Sequence, residues 1–521
     1  MLVLSSEKMQ NADFHAINEI GIPSIVLMEN ACRGIVSIIK EYYPKEYFEQ
    51  VIVVAGKGHN GGDGIGVARI LAESGYDVEL ILLGRVESLK NEPLINFNIY
   101  KNLHYHYSVI SGSKQFSLIL DKYSKNKTII VDAIFGTGIN KPVKDGFYKE
   151  IIRYINKSQI KIIAIDIPSG LSEQFIPESE GVIYADTTVA VQALKEAHIF
   201  PDGNNYCGNI SIIDIGVPLK SLLQSKPSLR ILESDEFDFI KTERCPDAHK
   251  GDFGHCLNIS GSNEKPGASI LSSVAILKSG AGLCTTAVLP ENRELIINAL
   301  PELMIKPYLK SEDLIDSIKN SEVILFGPGM GTGDVSAKTL ELVLSNTISP
   351  VVIDADGINI IVDNLNLLNI NGNRKDIILT PHPGEFARLI KKSKKEIRAN
   401  RISLASKFAL SYKVFLILKG HHTIIASPDG NVYINQSGNA GMATAGSGDV
   451  LSGIITGFLA QFMNDVPVHR ILAVSTFVHG YAGDLAREKN GELSMTASDI
   501  IKFLPTAIKE INDYKSKFKS Y

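Results

Sequence analysis

The sequence predicts an α/β protein of two domains, each a largely parallel sheet with helices on both faces. Three observations carry this. The 521 residues exceed what one hydrophobic core ordinarily organises. Short β-branched runs alternate with helical stretches through both halves. A polar segment with three prolines, 218-PLKSLLQSKPSLRILESDEFDFIKTERCPDAHKGD, interrupts that rhythm once. The boundary falls inside it, near residue 225, and divides the chain into 1–222 and 223–521.

After an N-terminal helical region, the first series of strands is 51-VIVVA, 78-VELILL, 128-TIIVDA, 161-KIIAID, 187-TTVAVQA and 210-ISIID. Most are continuous apolar runs, which suits parallel strands buried on both faces. The first half therefore reads as a doubly wound domain. The second series is 256-CLNISGS, 283-LCTTAVL, 322-EVILFGPG, 351-VVIDADG, 376-DIILTPHPGE and 414-VFLILKG. Two antiparallel strands follow, 423-TIIAS and 431-NVYINQ, joined by the turn Pro428-Asp429-Gly430. Beyond 446-GSGD the chain reads as helix.

Composition excludes several classes of function. Apolar residues make up 44% and charged residues 21%, as in a globular protein. A net charge of −4 gives no general pull toward nucleic acid or an anionic membrane. No apolar stretch is long enough to span a bilayer, and the N-terminus lacks the signature of a secretory signal. The five cysteines are scattered without CxxC spacing, so buried or free thiols in the cytoplasm are expected.

In the first domain, 56-GKGHNGGDG lies between a strand and a helical run and holds five glycines in nine residues. Such glycines let the backbone turn sharply and approach a ligand, while the helix N-terminus offers amides to an anion. The pattern is neither GxGxxG nor a P-loop. Two further strands end in aspartate: Asp132 runs into 136-GTG, and Asp166 into 167-IPSG. Ligands of open parallel sheets collect at the carboxyl ends of strands. Asn60, Asp132 and Ser169 are thus able to converge as oxygen ligands of a monovalent cation, leaving Asp166 free for proton transfer. Each aspartate alone also suits a helix cap or turn.

In the second domain, 446-GSGDVLSG opens a long helix and is preceded by 438-GNAGMAT. Amides at Gly446, Ser447 and Gly448 form an anion hole, and Asp449 in the first turn is placed to deprotonate a hydroxyl that attacks phosphorus. Upstream, 419-KGHHT puts Lys419 at a strand end with Gly420, His421, His422 and Thr423 behind it, suited to nucleotide phosphates. The two histidines, being adjacent, are expected to point differently, and neither is read as a metal ligand. His382 of 381-PHPGE stands at another strand end. The 327-GPGMGTG loop and the 266-PGAS turn add glycine-lined approaches.

The segments GKGHNGGDG, VDAIFGTG and AIDIPSG, in that order, resemble the NAD(P)H-hydrate epimerase family, whose fold is Rossmann-like. The resemblance covers about residues 1–220. It implies that His59, Asn60, Gly61, Gly62 and Asp63 contact the hydrated nicotinamide nucleotide. Gly136, Thr137, Gly138, Ile139, Asn140, Lys141 and Pro142 would hold the nucleotide. Asn60, Asp132 and Ser169 would bind K⁺, with Asp166 beside the reacting ring. The family usually has asparagine where this chain has His59. HKGDFGHCLNISGS, PGAS, GPGMG, LTPHPGEFARL, KGHHT and NAGMATAGSGDVLSG resemble the ribokinase-like NAD(P)H-hydrate dehydratase family over about residues 230–515. By that resemblance Ala268, Gly329 and His382 line the hydrated-nucleotide site, Lys419 to Thr423 and Gly448 bind phosphates, and Asp449 is the catalytic base. ADP is the implied phosphoryl donor and Mg²⁺ its companion. A cytoplasmic homo-oligomer acting on NADHX and NADPHX is expected. A small-alcohol kinase, a nucleotide sensor and a nicotinamide oxidoreductase remain as rival readings.

Overall fold

Every continuous apolar run named in the first half becomes a parallel strand in the computed structural model, which describes residues 1–226, 229–241, 243–369 and 376–517. The chain divides into two compact units, residues 2–227 and 228–520.

From edge to edge, the sheet of the first unit runs Tyr107–Ile110, Asp77–Leu83, Gln50–Ala55, Thr128–Ala133, Lys161–Ile165, Thr187–Val191 and Asn209–Ile213. All neighbours are parallel. Numbered along the chain, these seven strands lie in the order 3-2-1-4-5-6-7, so the order reverses between Gln50–Ala55 and Thr128–Ala133. That reversal is the switch point at which such sheets bind ligands. Buried residues alternate between faces even though the strands are apolar throughout. Val51, Val53 and Ala55 pack with the helices Ser24–Tyr42 and His59–Glu73, while Ile52 and Val54 pack toward Phe147–Lys157. Two coated faces are why the runs do not alternate in the sequence.

The sheet of the second unit begins Met304–Pro307, Leu283–Val288, His255–Ile259, Val323–Phe326, Val351–Ile353, Ile377–Leu379 and Phe415–Leu418. These seven are parallel and repeat the order 3-2-1-4-5-6-7. The predicted hairpin follows as Ile424–Ala426 and Val432–Ile434, antiparallel to one another, with Leu229–Ile231 added beyond it. The edge strands Met304–Pro307 and Tyr107–Ile110 are short and less apolar, and sequence pattern did not single them out.

The helix Ser447–Phe462 is buried along most of its length and packs on Pro266–Lys278. Close approach here depends on glycine. A Cβ on Gly453 would stand 2.5 Å from the carbonyl oxygen of Ser272 and 2.7 Å from the Cβ of Ala275. Gly453→Ala should therefore destabilise the second unit by about 1–3 kcal/mol of overpacking, outweighing roughly 1 kcal/mol of helix propensity gained. Urea unfolding of the variant against the parent checks this.

All five cysteines are free thiols, with Cys245 alone exposed, as their scattered spacing predicts. Among the described residues no helix is long and apolar enough to cross a membrane.

Candidate active sites

At the switch point of the first unit, strand Gln50–Ala55 ends at Gly56, whose N–H donates to Ala133 O at 3.0 Å. The helix His59–Glu73 starts three residues later. None of the glycines in 56-GKGHNGGDG takes a positive φ. They are needed for contact instead: a Cβ on Gly56 would lie 2.1 Å from Ile134 O, and one on Gly61 1.9 Å from Gly56 O. The sharp turn expected here is a tight docking of the helix start onto the strand. Gly58 alone among them faces open space.

Asn60, Asp132 and Ser169 come together in the buried interior of this switch point. Asp132 Oδ1 accepts from Ser169 Oγ at 2.6 Å and from Ile134 N at 3.2 Å, and its Oδ2 accepts from Ser169 N at 2.8 Å. A fourth oxygen, which no motif pointed to, is the carbonyl of Phe135. It accepts from Asn60 Nδ2 at 2.9 Å and lies 3.2 Å from Ser169 Oγ. Burial pushes the Asp132 carboxyl up to about 6, against hydrogen bonds from Ser169 and Ile134 that hold it down. Gly136 rests against Asn60, and the rest of 136-GTGINKP is an open loop, half-buried to exposed. His59 is mostly exposed, with Nε2 3.6 Å from Glu92 Oε2. Asp63 is half-buried one turn into the helix.

Asp166 is not free. Its Oδ1 accepts from Lys195 Nζ at 2.5 Å and from Val191 N at 3.1 Å. Its backbone sits in the left-handed region at φ 63°, which costs a non-glycine residue and is tolerated where surrounding bonds enforce it. Lys195, His198 and Asp13 all belong to this site and escaped the sequence reading. No local pattern marks them, because they come from segments far away in the chain.

In the second unit, the helix Ser447–Phe462 begins at Gly446, which is left-handed at φ 84°. A Cβ on Gly448 would stand 3.2 Å from Lys419 Nζ and 3.7 Å from Asp354 Oδ2. Asp449 follows in the first turn. Burial, then the neighbouring carboxylate of Asp354, pushes Asp449 up to about 7, with Lys419 opposing. Lys419 itself donates to Asp354 Oδ1 at 2.8 Å. Burial works against its charge, but Asp354, Glu385 and Asp449 outweigh that and hold the ammonium above its ordinary value. The other oxygen of Asp354 is buried and has no hydrogen-bond partner among the described residues.

Ala268 and Gly329 also meet: a Cβ on Gly329 would stand 2.8 Å from the Cβ of Ala268. Asp356 Oδ2 ties their loops together, accepting from Lys265 Nζ at 3.2 Å and Gly331 N at 2.9 Å. Asp354 and Asp356 sit in 351-VVIDADG, which by pattern reads only as a strand. The strand-end rule used for Asp132 and Asp166 finds Asp354 as well.

His382 has a second role, and one expectation changes. His382 is a helix cap, its Nδ1 accepting from Gly384 N at 2.9 Å and Glu385 N at 3.3 Å, while Nε2 lies 3.5 Å from Glu385 Oε1 and the side chain as a whole is about half exposed (52%). His421 and His422 do not point apart. Their rings meet edge to face with centroids 4.0 Å apart, because His422 is left-handed at φ 52° and folds its ring back. Thr423 Oγ1 donates to Gly420 O at 2.9 Å, and Arg401 donates to His421 O at 2.7 Å, so the 419-KGHHT loop is fixed from both sides.

Family models match both halves. One described as NAD(P)H-hydrate dehydratase matches residues 256–506, and one described as YjeF-related protein N-terminus matches residues 24–197. The bifunctional NAD(P)H-hydrate repair enzyme of Moorella thermoacetica is 33% identical over 98% of this chain and 98% of its own. That of Thermofilum pendens is 31% identical over 100% of this chain and 99% of its own. That of Escherichia coli is 29% identical over 98% and 94%.

Proposed function

The chain belongs to the family of bifunctional NAD(P)H-hydrate repair enzymes, and from that premise we propose how its residues divide the work. The first unit epimerises hydrated NADH and NADPH at carbon 6. The second dehydrates the S hydrate with ADP as phosphoryl donor, giving NAD(P)H, AMP and phosphate. The observation that carries the second assignment is Asp449: a carboxyl pushed to about 7 beside a helix N-terminus and the half-buried Lys419. A general base is most effective with its pKa near working pH.

Hydroxide is a poor leaving group from carbon 6. Asp449 takes the hydroxyl proton, the oxygen attacks the terminal phosphorus of the donor, and amides of Gly446, Ser447 and Gly448 stabilise the transferring phosphoryl oxygens. Phosphate then leaves carbon 6 while a proton leaves carbon 5, which restores the ring double bond. Lys419 and the loop to Thr423 hold donor phosphates, while Ala268, Gly329 and the half-exposed ring of His382 line the hydrate. Among the described residues no group of three His, Cys, Asp or Glu side chains is arranged to hold a metal ion. A Mg²⁺ would enter with the donor and keep part of its water shell, and the unpartnered oxygen of Asp354 supports that residue as its protein contact. Bound there, it would neutralise phosphate charge.

In the first unit, inversion at carbon 6 requires a bond at that carbon to break and re-form, and a proton to move on or off its oxygen. Asp166 is assigned that proton. The switch-point loops 59–63 and 136–142 would hold the nucleotide. Asn60, Asp132, Ser169 and the Phe135 carbonyl fit K⁺ by their chemistry: all are oxygen donors once the Asn60 amide is turned over. Ser169 Oγ donates its one proton to Asp132, yet rests 3.2 Å from Phe135 O. A cation shared by those oxygens would also offset the burial of Asp132. Replacing K⁺ by Li⁺ should slow epimerisation several-fold and leave dehydration of the purified S hydrate at its parent rate. Equal epimerisation in both salts would remove the cation assignment. Free, mostly buried thiols suit a reducing cytoplasm.

The donor assignment is tested by product analysis. With S hydrate and ADP, AMP and phosphate should appear one for one with the reduced nucleotide. Release of a stable phosphorylated hydrate instead would make the second unit a kinase.

A further inference from the structure

The residue that holds Asp166 is Lys195, buried at the end of a two-residue strand that the motifs do not touch. Leu194–Lys195 pairs in parallel with Leu2–Leu4, Leu4 opposite Lys195, so the lysine is anchored by a strand pairing. Its side chain is 2% exposed. Nζ donates to Asp166 Oδ1 and to Val191 O, both at 2.5 Å. Burying an ammonium this completely costs several kcal/mol unless it is paired, and here the pairing is directed at one oxygen of one carboxylate. The other oxygen of Asp166 has no hydrogen-bond partner among the described residues, and the side chain keeps 15% of its exposure.

The backbone of Asp166 is fixed with equal care. Its N–H donates to Val189 O at 2.9 Å. His198 Nδ1 accepts from Lys195 N at 3.0 Å, so its proton is on Nε2, which donates to Asp166 O at 2.7 Å. Burial, with the Lys195 charge, pushes His198 down to about 4, so this imidazole stays neutral through the working range. Two more carboxyls face the same ammonium: Asp13 from helix Ser6–Asn18 and Asp63 from helix His59–Glu73. Burial pushes Asp13 up to about 6, with Lys195 opposing and Asp166 adding, and it raises Asp63 well above the usual carboxylate range, with Asp166 and Asp13 adding. One cation thus stands among three acids and bonds to only one.

We propose that Lys195 is a positioning residue for epimerisation: its ammonium and the Val191 N–H clamp Oδ1 of Asp166, aim the free oxygen at the substrate, and select Asp166 over Asp13 and Asp63 as the group that carries the proton. The inference rests on the assignment of Asp166 to that role. It makes the charge of Lys195, not only its volume, matter to the rate.

The experiment uses the full chain with the phosphoryl donor omitted, so that epimer interconversion is followed alone by chromatography. Lys195→Met should lower kcat about 10²-fold with KM within a few-fold. Lys195→Arg keeps the charge and should recover much of the parent kcat. Lys195→Gln keeps a donor without the charge and gives the same readout as methionine if Lys195→Met does not fold. Dehydration of S hydrate by the same preparations reports that the second unit is intact, and amide hydrogen exchange in strand Gln50–Ala55 reports the same of the first. Parent kcat in Lys195→Met or Lys195→Gln, or a Lys195→Arg enzyme as slow as Lys195→Met, would overturn the inference. If Asp166→Asn abolishes epimerisation while those variants behave as the parent, only the role of Lys195 fails. Full epimerisation by Asp166→Asn would instead remove the assignment on which it rests.

Discussion

Asp449→Asn should lose dehydration of the S hydrate by about 10²–10⁴-fold, the usual contribution of a positioned general base, with KM for ADP changed only a few-fold. The substitution keeps the side chain's size in the first turn of Ser447–Phe462 and removes only the ability to take a proton. Phosphate contacts come from Lys419 and the amides of Gly446 to Gly448, so donor binding should survive. A pH dependence follows from the same environment. Burial and the Asp354 carboxylate hold Asp449 near 7, and the base acts only when ionised. The parent's kcat/KM, which reports the enzyme before donor and Mg²⁺ bind, should therefore fall as pH drops through about 7 and level off above it. Initial rates of NADPH appearance from purified S hydrate, taken across pH, check both statements. A parent profile that is flat from well below 7 would mean that Asp449 is not the titrating base. Because the Asn variant has nothing to titrate at this position, its residual rate should lack that limb.

Asp166→Asn should reduce epimerisation by a similar factor, about 10²–10⁴-fold, and leave dehydration of S hydrate untouched. The amide can still accept from Lys195 and Val191, so the left-handed backbone at φ 63° remains supported. What it loses is the charge opposite the Lys195 ammonium and the ability to carry a proton. Some loss of stability accompanies the unpaired lysine, which is why amide hydrogen exchange in strand Gln50–Ala55 of the same preparation is the control. Chromatographic separation of the two hydrates after incubation without donor measures the rate directly. Rapid interconversion by the variant would pass the proton-transfer role to Asp63 or Asp13.

Much of this architecture was legible because its physics is local. Continuous β-branched runs announce parallel strands coated on both faces, and Pro428-Asp429-Gly430 announces a hairpin. The rule that ligands gather at strand ends picked out Asp132, Asp166 and Lys419 from spacing alone. The same rule applied to 351-VVIDADG leads to Asp354, which pairs with Lys419. Other features are not local. Lys195 reaches Asp166 across 29 residues, and Asp13 faces the pair from the first helix. No periodicity or motif carries such a meeting; only the closed fold does. The glycines of 56-GKGHNGGDG were visible, but the reason for them was not. They permit backbone contacts of helix on strand rather than a turn with positive φ. His382 shows how a residue read as a ligand contact also serves the backbone, since its ring caps a helix through Nδ1 while the side chain stays half exposed.

The central claim is that one chain repairs both epimers, and the extent of recovery tests it most directly. An equilibrated mixture of R and S NADPH hydrates is incubated with the full chain, K⁺, Mg²⁺ and ADP, and absorbance of the reduced nicotinamide ring is followed to its plateau. Recovery of the whole hydrate pool, reduced to a fast phase equal to the S fraction in Asp166→Asn and to nothing in Asp449→Asn, is the predicted result. A parent plateau at the S fraction would contradict the role of the first unit, and no recovery with ADP or ATP would contradict that of the second.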